Sequence, residues 1–371
     1  MRTVGVEEEL LLVDGSTGVA MALAPHVLRP FGDEVGDDDD GEEVGGSVVA
    51  ELQREQIETD TPPLESMAEL AAELRSWRRT ADLAARAAGA RVAALAIAPL
   101  PVQPTTAPNA RYEQMVERFG MSASDLLICG QHVHVQVDSA DEAVAVLDRI
   151  RVWLPTLLAI SANSPFAHGR DTSYASYRAR ALTRWPLSGP TDLYGSAQAY
   201  EQMIADALAT EVLLDDGMLY FDARASRRFP TVEVRAADIC QDVSDAVLIA
   251  ALCRGLVETA ARDWTAGHPA PPAPTRMLRL ASWQASRHGL EENLLDPDSH
   301  RPRPAGEVLA ALVAHVRPAL EDSGDLDLVR DGLAHVTERG TGARLQRDTL
   351  ERNGDLAEVV AAAARRTAGQ E

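Results

Sequence analysis

Gly5-Val6-Glu7-Glu8-Glu9-Leu10-Leu11-Leu12-Val13-Asp14 places a glutamate triplet inside what otherwise reads as a buried strand. Side chains alternate along β structure, so Val4, Val6, Leu10 and Leu12 fall on one face and Glu7 and Glu9 on the other. A carboxylate taken out of water is tolerated only when it is paired, hydrogen-bonded or metal-bound. Two of them side by side repel, and a divalent cation relieves that repulsion directly. The same residues also suit a solvent-facing edge strand that merely carries acids.

Outward from this strand, strand-like and helix-like stretches alternate. A second strand spans roughly 48 to 59 and stops at Pro62-Pro63. The apolar run 91–98 suits a central strand, 129–138 reads as another, and 218–223 with 231–237 reads as a hairpin around 226–230. Met67, Leu70, Leu74 and Trp77 follow helical spacing within 65–88, with Gly89 as a C-cap. Ser139 with Glu142 is a capping-box signature, and Pro155 interrupts or bends the helix that follows. A long helix near 244–264 leads to the proline-rich stretch 269–274, and the remainder reads as helical, Ala-rich near 305–322 and 354–368. The acidic run Asp37-Asp38-Asp39-Asp40-Gly41-Glu42-Glu43, in a loop near 33–46, lacks the spacing of a calcium loop and reads as a solvated loop. The expectation is one α+β domain over 1–371, with helices packed on one face of the sheet.

Four of these strands share a feature. His132, His134 and Gln136 oppose a valine face; Thr231, Glu233 and Arg235 oppose another apolar face; Gln56 and Glu58 join Glu7 and Glu9. A solvated sheet face favours Thr, Lys and Ser. Here the polar faces carry metal-ligand and anion-binding types, and they converge on one floor if the strands are neighbours. The blander readings are satisfied buried histidines and a structural Glu233–Arg235 ion pair. Glu51 lies an odd seven residues before Glu58, so it joins the floor only through a bulge or by preceding the strand.

Two further stretches suit anions. The turn-rich segment from Ala162 to Arg178 offers Arg170 and Arg178, whose guanidinium forks match carboxylate or phosphate; ordinary solvated loop arginines are the alternative. Gly340-Thr341-Gly342-Ala343-Arg344-Leu345-Gln346-Arg347 opens a helix with two glycines and two arginines, Arg344 and Arg347. No Walker A pattern and no Gly-x-Gly-x-x-Gly after a strand occurs, so a nucleotide would be held through metals and arginines.

The net charge of -22 argues against nucleic acid or an anionic membrane as partner. Cys129, Cys240 and Cys253 are scattered, which suggests a reducing compartment, and no apolar run approaches eighteen residues without charge, so a cytoplasmic protein is expected.

Together these motifs resemble the carboxylate–amine ligase family, the type 2 glutamate–cysteine ligases of the glutamine synthetase-like superfamily. The resemblance rests on Gly5 to Glu9, Gln56 to Pro62, Gly130 to His134, Ser164 to Phe166 with Arg170 to Thr172 and Tyr174 to Arg178, and Thr231 to Arg235. It implies a curved antiparallel sheet like the glutamine synthetase catalytic domain, holding ATP with Mg2+ (or Mn2+) on its concave face. It implies Glu7, Glu9, Glu51, Glu58, His134 and Glu233 as metal ligands. Arg235 would be the phosphate-binding arginine, and Arg170 and Arg178 substrate or phosphate contacts. The implied activity is an ATP-dependent ligation through an acyl phosphate, with L-glutamate as acid and L-cysteine as amine. Ala167 and Ser173 depart from the family pattern, in a segment expected to border the substrate. Two alternatives stand beside it: a metal-dependent hydrolase using His132-x-His134, and a degenerate ligase kept as a nucleotide-binding protein. Oligomeric state is not legible, and a homo-oligomer is compatible with the sequence.

Overall fold

Ten residues of β1 (Val4–Val13) organise the sheet. In the computed structural model, which describes residues 1–32 and 46–370, its partners are β2 (Val48–Ala50), β3 (Gln56–Asp60), β4 (Arg91–Ala93) and β5 (Gly130–Gln136) on the N-terminal side of the chain. After a small hairpin, β6 (Phe166–Ala167) and β7 (Arg170–Asp171), the sheet is completed by β8 (Ala223–Ala225) and β9 (Thr231–Asp238). The order among the described residues is β2-β3-β1-β5-β9-β8, with β4 beside the second half of β1, and every pairing is antiparallel. The acidic run 37–43 lies outside the described residues.

Helices cover one face. Met67–Ala87, Ala140–Ile150, Leu154–Ser161 and Val243–Thr265 pack there, burying Val4, Val6, Val133, Val135, Val232 and Val234 against Leu70, Leu147, Leu157 and Ile249. Strand alternation also sends Glu8 to this apolar side. It survives there because Arg78, itself 1% exposed, grips it with two hydrogen bonds of 2.7 and 2.6 Å. The other guanidinium donors of Arg78 go to the carbonyls of Cys240 and Gln241. The helices beyond the proline-rich stretch turn back onto Val243–Thr265, with Leu312, Val316, Val329 and Val336 in the same apolar cluster.

The expected elements shift in three places. The strand expected over 48–59 is two strands, because 51–55 turns: Gln56 N–H bonds to the Gln53 carbonyl and Leu12 N–H to that of Glu55. The run 91–98 pairs only over Arg91–Ala93, where β1 is still alongside. Beyond it the buried backbone of Ala94 is satisfied by side chains, its N–H by the Thr367 hydroxyl and its carbonyl by the Asn163 amide. The hairpin strand expected at 218–223 starts only at Ala223, and Asp216–Met218 is a 3-10 turn. Of the two readings of Pro155, interruption holds: the helix Ala140–Ile150 ends, and Pro155 sits in the first turn of the next, Leu154–Ser161, where no N–H is needed.

Candidate active site

Four neighbouring strands bring their polar residues to the face opposite the helices. Across β1 and β3, Glu9 stands directly opposite Glu58; across β1 and β5, Glu7 stands opposite His132; across β5 and β9, His134 stands opposite Glu233. Like charges directly opposite in a sheet are destabilising without a counter-ion. Glu7 bridges both imidazoles, at 3.1 Å to His132 Nδ1 and 3.0 Å to His134 Nε2, while Thr231 Oγ1 lies 2.9 Å from His134 Nδ1. Glu233, 2% exposed, is held by Arg235 and by Arg224 Nε. Strand parity thus delivers the floor as expected. Glu51 reaches it too, for the second of the two reasons foreseen: it precedes β3, in the turn, and is free of that strand's alternation.

The charges divide into two ends. At one end Glu233 is held below its ordinary range: burial would raise it, but Arg235 and Arg224 outweigh burial. Glu7 is likewise well below, through His134 and the two histidine hydrogen bonds, against burial. His134 is raised, because Glu7 overcomes the cost of burial, whereas burial and Arg235 press His132 down to about 4. At the other end burial and mutual repulsion outweigh the nearby cations. Burial and the charge of Glu9 push Glu51 up to about 7; burial and Glu7, Glu51 and Glu9 push Glu58 well above its usual value; burial raises Glu9 despite Arg178.

Among the described residues three sets of donor atoms lie mutually within 4.8 Å: Glu9, Glu51 and Glu58; Glu7, Glu58 and His132; Glu7, His134 and Glu233. Carboxylate oxygens with an occasional imidazole suit a hard divalent cation such as Mg2+ or Mn2+ rather than zinc held by nitrogen and sulfur. The raised carboxylates of the first set carry the fit: buried together, they hold negative charge that the side chains around them do not balance.

These groups floor a cavity of about 620 Å3. Tyr112, Met115, Leu126, Ile128, Trp185 and Tyr220 form an apolar wall, with the Trp185 and Tyr220 rings stacked at 4.9 Å. At the rim, Arg111 of helix Ala110–Phe119 forms a bidentate pair with Asp215 at 2.6 and 2.8 Å. Arg178 also lines the cavity, 3% exposed, and among the described residues its Nε has no hydrogen-bond partner.

Three expected anion contacts lie elsewhere. Arg170 is exposed on the β6–β7 hairpin and does not line the cavity. Arg347 is occupied by Asp171 at 2.9 Å and by the Tyr174 carbonyl; Arg344 pairs with Glu291 at 3.0 Å on the surface. The glycines ahead of them serve packing rather than an anion: a Cβ at Gly342 would come within 2.2 Å of Asn163 Oδ1, and Ala343 N–H already bonds to the Ala162 carbonyl. Ala167 and Ser173 do not line the cavity either; Ser173 has φ of 63°, the left-handed conformation that favours glycine. Gln136, expected on the floor, turns to Thr3. The sequence reading missed Arg224, which lies opposite Glu233 just past the expected end of its strand, and placed His132 among the ligands only in the hydrolase alternative, not in the set implied by the resemblance. An alternating Ala223-Arg224-Ala225 was the available signal for the first.

The model of glutamate–cysteine ligase family 2 matches residues 3–362. A Streptomyces avermitilis protein named "Putative glutamate–cysteine ligase 2-1" is 52% identical over 369 residues, covering 100% of both chains. A Streptomyces coelicolor protein named "Putative glutamate–cysteine ligase 2" is 51% identical, covering 99% of both. Among solved structures, glutamate–cysteine ligase from Francisella tularensis in complex with AMP superposes with a TM-score of 0.66 at 15% identity, covering 100% of this chain and 88% of that one. A bifunctional glutathione synthetase from Pasteurella multocida gives 0.65 at 16%, covering 100% and 52%. At such identities the structural likeness establishes the fold alone, while the sequence matches establish the kinship: this chain belongs to glutamate–cysteine ligase family 2.

Proposed function

We propose that the protein is an ATP-dependent carboxylate–amine ligase of the glutamate–cysteine ligase type, forming ADP. One observation carries the reading: the under-neutralised carboxylates Glu9, Glu51 and Glu58 share one cavity with the guanidinium groups of Arg178 and Arg235. Such a cavity suits a polyphosphate only when divalent cations lie between the two sets of anions. A bound magnesium or manganese ion supplies that neutralisation for the β- and γ-phosphates of ATP. Glu9, Glu51 and Glu58 would hold a cation at one end, and Glu7, His134 and Glu233 at the other. Arg235, anchored by Glu233, gives fixed positive charge to the phosphoryl group in transfer, and Arg178 gives it to a phosphate or substrate carboxylate. A substrate carboxylate oxygen attacks the γ-phosphorus and ADP leaves; an amine then attacks the acyl phosphate, inorganic phosphate leaves, and an amide forms with loss of a proton. L-Glutamate as acid and L-cysteine as amine are the pair to try first, because the family and the relatives' names support them. The zinc hydrolase reading has no support from the oxygen-rich donor set.

The test is product chemistry. With MgATP, L-glutamate and concentrated hydroxylamine, a hydroxamate should accumulate in step with ADP. AMP and pyrophosphate from any productive pair would overturn the mechanism, and ATP binding without turnover across an amine panel would overturn the activity.

A further inference from the structure

Arg178 owes its position to groups that line no part of the cavity. Asp238, the last residue of β9 and fully buried, holds both ends of the Asn163–Arg178 segment. Its Oδ2 accepts from Asn163 N–H at 2.9 Å and from the Ser164 hydroxyl at 2.8 Å, and its Oδ1 accepts from the Ser176 hydroxyl at 2.8 Å. The two hydroxyls pass the constraint on: Ser164 Oγ accepts from Arg178 N–H at 3.0 Å, and Ser176 Oγ from Ala179 N–H at 3.3 Å. The Arg178 Nη1 lies 3.7 Å from Asp238 Oδ1, near enough for charge but beyond a hydrogen bond. On the far side the guanidinium lies against Gly130, where a Cβ would come within 2.2 Å of Nη2. Among the described residues Nη2 makes only a 3.4 Å bond to the Arg235 carbonyl, and Nε makes none. A buried guanidinium normally satisfies its donors. This one is aimed and then left with donors to spare.

We propose that Asp238 and Gly130 are positioning residues for Arg178: Asp238 fixes the segment that carries it, and the missing side chain at Gly130 gives its guanidinium the place from which it receives an anionic group. The proposal rests on the ligase reading only for the identity of that anion, a carboxylate or phosphate oxygen. Asp238 spends its lone pairs on backbone and hydroxyl donors, so Arg178 stays available; a bidentate Asp–Arg pair would have consumed it.

The test has a structural arm and a kinetic arm. Crystal structures of the wild type and of Asp238→Asn and Gly130→Ala should show the guanidinium displaced from its station in both variants. An unmoved guanidinium overturns the proposal, whatever the enzyme's activity. In ADP-release kinetics with MgATP, L-glutamate and L-cysteine, each variant should lose about ten- to a hundredfold in kcat/KM. In an Arg178→Ala background the same substitutions should add less than about threefold, because their effect passes through Arg178. Losses that multiply in that background would show a merely structural role and refute the proposal. If Asp238→Asn does not fold, Gly130→Ala decides alone, since it leaves the Asp238 network in place. A wild type that turns over no acid–amine pair removes the ligase reading alone, and the crystallographic arm still decides the positioning.

Discussion

Removing divalent metal should give the protein an inverted pH dependence, with thermal stability rising as pH falls from 8 to 6. The cause is the cluster of Glu9, Glu51 and Glu58. A carboxylate whose folded-state pKa is raised holds its proton more tightly when folded, so stability is full below the unfolded value and lost as pH rises through the folded one. Glu51 goes from 4.5 to about 7. Lowering the pH from 8 to 6 therefore recovers roughly 1.3 kcal/mol from this group. Glu58, also raised by burial and by Glu7, Glu51 and Glu9, acts in the same direction. His134, also raised, acts in the same direction. His132 opposes: pressed down to about 4, it stays neutral in the fold while the unfolded chain takes a proton, costing roughly 0.8 kcal/mol at pH 6. Glu7 and Glu233 remain ionised throughout and contribute nothing to the slope. Glu51 alone outweighs His132 by about 0.5 kcal/mol, and Glu58 and His134 add to that gain, so Tm should rise as the pH falls. Scanning calorimetry in EDTA at pH 8, 7 and 6 reads it directly. Saturating magnesium should raise Tm at pH 8 and flatten the trend, leaving a small slope from Asp222, which burial lifts to about 6. A metal-free Tm that falls toward pH 6, or an identical slope with magnesium, would refute the assignment of the acidic cluster as a cation site.

Substitutions probe the same partition. Glu58→Gln removes one of two carboxylates directly opposed across β1 and β3, so Tm in EDTA should hold or rise while the magnesium-induced increase shrinks and ADP release is lost. Glu233→Gln should also abolish turnover, but it should lower Tm, because Arg235 and Arg224 lose a buried anionic partner. Arg78→Met strands the buried Glu8 carboxylate and should cost about 3–5 kcal/mol, read by denaturant titration, with no specific effect on substrate KM. Arg347→Ala should leave turnover unchanged and cost less than about 1 kcal/mol, since its pair with Asp171 is half-exposed and far from any cavity-lining role.

What could be read from the sequence followed from strand parity. Glu7, Glu9, Glu58, His134, Glu233 and Arg235 are periodic within locally regular strands, and the sheet did bring those strands together. Glu51 and Arg224 sit where regularity stops: one in the turn of 51–55, the other opposite Glu233 on a three-residue strand too short to show a period. Arg170, Arg344 and Arg347 mark the opposite failure. An arginine beside glycines has a local pattern that fits an anion, but only tertiary packing decides whether the loop faces a cavity. Asp171 and Glu291 had already taken two of them. The Asp238 network joins residues more than sixty positions apart and has no periodic signature.

The glutamate triplet shows how one strand serves both stability and function. Glu8 faces the helices, where each acidic oxygen meets a guanidinium nitrogen of Arg78 and the charge is settled within the chain. Glu7 and Glu9 face the cavity, where the chain supplies less positive charge than the acids require. Glu7 draws on two histidines, and Glu9 on an arginine whose donors are largely unspent. A sheet that completes the charge balance on one side and leaves it incomplete on the other fits the proposed role, in which bound cations would supply the last stabilising charges. Folding stability, metal affinity and nucleotide affinity should therefore rise together, which makes the metal-dependent Tm as informative about function as an assay of turnover.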